Sequence, residues 1–121
     1  MFGCVAWSVE FTSGFEDWWN GLSEGDQGKV DARVRLLMER GPSLGFPFST
    51  NIKTSRFPEM RELRAQAGGD PLRILYAFDS RRVAILLTAG DKTGNDRWYE
   101  INVPIADRLF QQHLKSLEKD R

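Results

Sequence analysis

"DPLRILYAFDSRRVAILLTAGDK", residues 70–92, consists of two apolar runs joined by "DSRR" at 79–82. Residues 74–75 and 84–87 are apolar at consecutive positions, so both faces of these segments need cover, as in the middle of a sheet packed against helices. A tight turn at Asp79-Ser80 makes the two runs an antiparallel pair. Each run also carries a cation at one end, with Arg73 entering the first and Lys92 closing the second. A long basic side chain can pack its stem on an apolar strand while its head faces a groove, and a strand holds that head rigidly. The expectation is that the sheet aims Arg73 and Lys92 at one substrate group.

Outward from this pair, "MRELRA" (60–65) reads as the preceding strand and "RWYEI" (97–101) as a following one, giving three or four consecutive antiparallel strands. Nearer the N-terminus, "CVAWSVEF" (4–11) alternates Val5, Trp7, Val9 and Phe11 with smaller or polar residues, the period of a half-buried strand. Two helices follow. The first lies in "FEDWWNGL" (15–22), capped by Thr12 or Ser13; the second starts at Ser23 with Asp26 three residues on. The second carries Val30, Val34, Leu37 and Met38 on one face and ends at Gly41-Pro42, with Arg40 suited to the C-terminal dipole. Residues 41–59, with three prolines and two glycines, read as a long connection. Pro104 suits the first turn of a last helix that shows Ala106, Leu109, Phe110, His113 and Leu117 on one face. The order βααββββα predicts an α+β fold, an antiparallel-rich sheet with two N-terminal helices and a C-terminal helix packed on it, as a single domain over 1–121.

The 121 residues include 40% apolar and 28% charged side chains, a globular composition, and the longest apolar run, 83–87, is far too short to span a bilayer. The opening "MFGCVAWSVE" lacks the basic and long apolar regions of a secretory signal, and the lone Cys4 fits a reducing compartment. A cytoplasmic protein without membrane association is expected, and Cys4 is assigned no chemistry. Formal net charge is zero, but residues 1–50 hold 4 Lys/Arg against 7 Asp/Glu while residues 51–121 hold 13 against 10. So small a basic excess would not hold nucleic acid by charge alone.

The cations of the second half can converge in an antiparallel meander: Arg61 and Arg64 on its first strand, Arg73, Lys92, and Arg97 beside Tyr99, with Lys53 and Arg56 supplied by the long connection. No paired carboxylates, Cys/His metal set or Ser/His/Asp arrangement accompanies them. Arg, Lys and Tyr on a concave sheet suit a phosphodiester. RNA brings its own nucleophile in the 2′-OH, leaving the protein to accept that proton, stabilise the charge on phosphorus and protonate the leaving oxygen. Read as structure alone, Arg81, Arg82 and Arg97 are solvated charges, the four tryptophans are core or interface anchors, and His113 is a packed residue on an apolar face. "AGDKTGND" (89–96) lacks phosphate-loop spacing.

The combination of "MRELR", "LRILYAFDSRRVAILLTAGDK" and "WYE" before a last helix, with "ERGPSLGFP" after two helices, resembles the RelE/ParE toxin superfamily, especially its HigB-like branch. The resemblance spans nearly the whole chain. It implies a bacterial or phage type II toxin that cleaves mRNA in the ribosomal A site and is silenced by a cognate antitoxin, often a helix-turn-helix protein. It further implies catalytic roles for Arg73, at the scissile phosphate, for Lys92, and for Tyr99, in stacking or proton transfer. Arg64, Arg61, Lys53 and Arg56 are the candidate RNA-binding residues, with no cofactor and no metal. This chain departs from many relatives in having Thr93 where a second cation follows the first, and it lacks the lysine pair of RelE at "MRE", which leaves the proton acceptor unassigned. The same fold also hosts ParE-like inhibitors that bind DNA gyrase without cutting RNA, and could host an inactive antitoxin-binding homologue. An antitoxin is expected to cover the basic sheet face or to pack on the early helices at Trp18 and Trp19.

Overall fold

A computed structural model describes residues 6–119. The chain runs β1 (Val9–Phe11), α1 (Ser13–Asn20), α2 (Glu24–Arg40), a 3-10 turn at Gly41–Ser43, β2 (Ser49–Asn51), β3 (Arg61–Ala67), β4 (Asp70–Phe78), β5 (Ala84–Asp91) and α3 (Trp98–Lys119). The strands form one sheet in the order β1-β5-β4-β3-β2. Among the described residues only the β1–β5 pairing is parallel; β2–β3, β3–β4 and β4–β5 are antiparallel. The α+β class and the element order agree with the sequence, and the apolar runs of the opening stretch are the two inner strands β4 and β5.

Two expectations about the elements are corrected. "RWYEI" is not a strand: Trp98 to Ile101 form the first turn of α3. Asn95 accepts the N–H of Trp98 at its carbonyl and that of Arg97 at its side chain, and helical bonding begins with Ile101 N–H to Arg97 O. Pro104 is therefore inside α3 rather than in its first turn, where it removes one helical donor. The fourth strand lies instead within the long connection, as the three-residue β2. Of the N-terminal strand expected over residues 4–11, Cys4 and Val5 lie outside the described residues and residues 6–8 are not strand, the Trp7 N–H donating to Met38 O of α2 instead.

Local chemistry explains the remaining elements. Thr12 caps α1 by accepting the N–H of Phe15 and donates its hydroxyl to Leu87 O at 2.7 Å, tying the helix start to β5. Ser23 caps α2, accepting the N–H of Asp26. Gly68 and Gly69 form the two-residue turn of the β3–β4 hairpin with φ of 57° and 89°, the left-handed backbone that such a turn requires. The sheet separates two apolar layers. Phe15, Val30, Leu37, Leu63, Ile74, Tyr76 and Leu86 fill the side under α1 and α2. Leu75, Ala77, Ile85, Leu87, Trp98, Val103, Ala106 and Phe110 fill the side under α3.

Candidate functional site

Strand register decides which cations can meet. Arg64 pairs with Arg73 and Glu62 with Leu75 across β3 and β4, and alternation along each strand puts Glu62, Arg64 and Arg73 on the α3 side of the sheet. Gly90 of β5 continues the Arg64–Arg73 row. The indole of Trp98 covers it so closely that a Cβ there would come within 2.7 Å of Nε1. This contact seats the start of α3 on the sheet. Tyr99, one residue later, is thereby turned toward β3.

The resulting cluster centres on Glu62, which is 8% exposed. Tyr99 donates its phenol to Glu62 Oε1 at 2.6 Å, Thr50 of β2 donates to Oε2 at 2.7 Å, and Arg73 Nε lies 3.2 Å from Oε1. Lys92, on the loop after β5, holds its Nζ 5.4 Å from the centre of the Tyr99 ring. Arg73, Lys92 and Tyr99 thus come together. Burial raises the Tyr99 phenol above the usual tyrosine range, and the hydrogen bond and charge of Glu62 reinforce it; Arg73 opposes both. Tyr99 is accordingly a neutral phenol that donates to a carboxylate.

The expected posture of Arg73 is corrected. Its head does not project into an open groove: the residue is 4% exposed, one terminal nitrogen donates to Leu72 O at 3.0 Å, and its Nε–H has no hydrogen-bond partner despite the nearby Glu62. Arg73 is an inner cation. Arg64, half-buried, and Lys92, partly exposed, are the outer ones.

Other sequence candidates are distributed more widely. Arg61 is on the opposite face from Arg64, donating to Ser49 Oγ at 3.1 Å, Tyr76 Oη at 3.3 Å and Leu44 O at 3.0 Å, and also to Asn51. It serves that side of the sheet and is not part of the cluster. Asp107 of α3 accepts the Ser55 hydroxyl and the Arg56 N–H, pinning the connection beside α3; Arg56 then lines a cavity of about 450 Å³ with Tyr99, Val103 and Pro104. Lys53 is exposed on the same connection. Trp18 and Trp19, expected as core or interface anchors, are half-buried against the core. His113 is 14 residues beyond Tyr99 on α3, about 21 Å along the helix axis. There it is 2.8 Å from the buried Asp79 at the β4–β5 turn, where Arg81 joins Asp79 to Glu10. Arg81 is therefore an anchor as well as a turn charge. Among the described residues, no three His, Cys, Asp or Glu side chains are grouped as a metal site would require.

Glu62 was not among the residues selected from sequence, although it sits two positions before Arg64, on the same strand face. An acid on the cationic side of a strand was the available signal.

Residues 17–111 match the family described as "Phage derived protein Gp49-like (DUF891)". The chain belongs to this Gp49-like family. It is 43% identical over 102 residues to "Putative toxin HigB3" of Mycobacterium tuberculosis, covering 84% of this chain and 88% of that protein. It is 38% identical over 116 residues to "Putative toxin HigB2" of the same organism, covering 94% of this chain but 57% of the relative's length. In architecture, this Gp49-like chain is similar to a free-state mutant of the E. coli toxin RelE, with a TM-score of 0.56, 11% identity, and coverage of 78% of this chain and 93% of that one. The likeness to the HigB-named relatives thus holds at the level of family, and that to RelE at the level of fold.

Proposed function

We propose that this Gp49-like chain is the toxin of a type II toxin–antitoxin pair and a ribosome-dependent mRNA endoribonuclease, silenced by a cognate antitoxin of the helix-turn-helix kind. The observation that carries the reading is the meeting of Arg73, Lys92 and Tyr99 around Glu62 at one end of the sheet. In the reaction, Tyr99 Oη accepts the proton of the attacking 2′-OH while its own proton passes to Glu62 Oε1, 2.6 Å away. A neutral phenol already bonded to a carboxylate is suited to this relay. The 2′-oxygen forms its bond to phosphorus and the bond to the 5′-oxygen breaks, leaving a 2′,3′-cyclic phosphate. Lys92 protonates the departing 5′-oxygen, and Arg64 meets the phosphate oxygens with Arg73 behind it, an arrangement of fixed cations that stabilises developing charge.

Zero net charge supports dependence on the ribosome, because a weak basic footprint cannot hold a flexible strand in line for 2′-OH attack, whereas an already positioned codon needs less help. The test is induced expression followed by toeprinting on translating ribosomes, beside incubation with the same RNA free in solution. New breaks in the A site, with little cleavage of free RNA, are expected. Intact message together with inhibited gyrase supercoiling would instead identify a ParE-like inhibitor; no effect on either target would identify an inactive antitoxin-binding homologue.

A further inference from the structure

A second feature adjoins the cluster on the edge of β3. Strand β2 covers β3 only from Arg61 to Leu63, and beyond it the chain leaves a cavity of about 250 Å³ lined by Arg33, Phe46, Phe48, Arg64, Gln66 and Arg73, among others, with no carboxylate in its wall. The wall is held by backbone. Arg64 donates its N–H to Phe48 O at 2.8 Å, and its carbonyl accepts Arg33 Nε–H at 3.2 Å. Arg33 is further stacked over Phe48, 4.7 Å from the ring centre. Phe46 is the contrast: it is 78% exposed, the most open of the large apolar side chains among the described residues, and the guanidinium of Arg64 lies 5.8 Å from its ring centre.

Arg73 is paired with Glu62, but Arg33 and Arg64 make no ion pair among the described residues and can attract an anion of delocalised charge, and an exposed aromatic ring flanked by arginine offers a face on which a planar base can stack. The volume is below the roughly 300–1,000 Å³ of ordinary small-molecule pockets, so the site is a shallow notch at the sheet edge and not an enclosing cavity. We infer that the notch formed by Arg33, Phe46, Arg64 and Arg73 is a nucleotide subsite for single-stranded RNA, with a base stacked on Phe46 and a phosphate held by Arg33 and Arg64. This inference rests on the endoribonuclease reading and adds to it where the strand lies: along the edge of β3, beside the nucleotide that is cut. Gln66, whose amide both donates and accepts, is placed to read the edge of the stacked base.

The test uses the full chain and a short single-stranded RNA carrying 2-aminopurine, whose fluorescence falls when the base stacks. Wild type is expected to quench it. Phe46→Ala should abolish the quenching and raise the KM for ribosome-bound message about tenfold, the scale of one lost base–aromatic stack, with kcat within about twofold. Phe46→Trp should restore both, and Arg35→Ala, on the exposed Asp31 pair of α2, should change neither. Quenching and KM that are the same for wild type and Phe46→Ala, in a protein that cleaves message, would overturn the subsite and leave the nuclease reading intact. Phe46-dependent quenching by a protein that cuts no message would overturn the nuclease reading and retain the subsite.

Discussion

The phenol of Tyr99 and the carboxylate of Glu62 are joined at 2.6 Å although they are 37 residues apart, one on the first turn of a helix and the other inside a strand. Both side chains depend on this contact, since Glu62 is nearly enclosed and Tyr99 is the partner that connects it to Lys92. Tyr99→Phe and Glu62→Gln should each lower single-turnover cleavage by about 10²-fold, the lower range for general acid–base groups. The double variant should be no slower than the worse single one, because members of one relay are not additive. Full additivity in a folded double variant would mean that the two act separately.

Burial and Glu62 raise the Tyr99 phenol, so its ultraviolet titration should have a midpoint above the usual value of about 10. Tyr76→Phe leaves Tyr99 as the single tyrosine to be followed. The sign follows from the neutral form being favoured in the folded protein: the contribution to stability is present below the unfolded-state value and lost as pH rises through the folded one. Glu62→Gln should bring the midpoint down.

Gly90→Ala tests how Tyr99 is seated. The added methyl would press on the Trp98 indole, an overpacking that costs about 1–3 kcal/mol. Because Trp98 and Tyr99 are consecutive, cleavage should fall by more than the lost stability explains, measured at a temperature where the variant is still folded. A destabilised variant with unaltered kcat would show that the indole contact does not orient the phenol.

Arg61 and Arg64 should separate cleanly. Arg61→Ala removes donors from Ser49, Tyr76 and the Leu44 carbonyl, a loss of about 1–3 kcal/mol read by chemical denaturation, with cleavage of the remaining folded protein preserved. Arg64→Ala should cost within about 0.5 kcal/mol and reduce cleavage. The reverse assignment would place the substrate on the α2 side of the sheet.

Asp79 provides the pH dependence of folding. Burial pushes its carboxyl up, but hydrogen bonds from Arg81, His113 and the N–H groups of Val83 and Arg81 outweigh this and hold it below the usual carboxylate range. Its stabilisation is therefore present above about pH 4 and lost as pH falls through the lowered folded-state value. Asp79→Asn should be less stable by about 1.5–3 kcal/mol at neutral pH, and the difference from wild type should shrink on acidification. Message cleavage at neutral pH should be retained, since this network lies at the other end of β4 and β5 from Lys92.

The sequence by itself determined the sheet's inner strands, because consecutive apolar residues over 74–75 and 84–87 admit little other than double-sided burial. It also determined the capped helices, whose start and stop residues act within a few positions of themselves. Arg73, Lys92 and Tyr99 were legible through the resemblance of their surrounding motifs. Only the tertiary structure decided that "RWYEI" winds into a helix, because its aromatic and β-branched residues suit a strand locally, whereas in the fold Trp98 settles over Gly90, a contact outside the segment. Register likewise decided that Arg61 turns away while Glu62 joins Arg73 and Tyr99. The side-chain period of a strand says which residues share a face, but which face meets the start of α3 is settled by packing between distant elements.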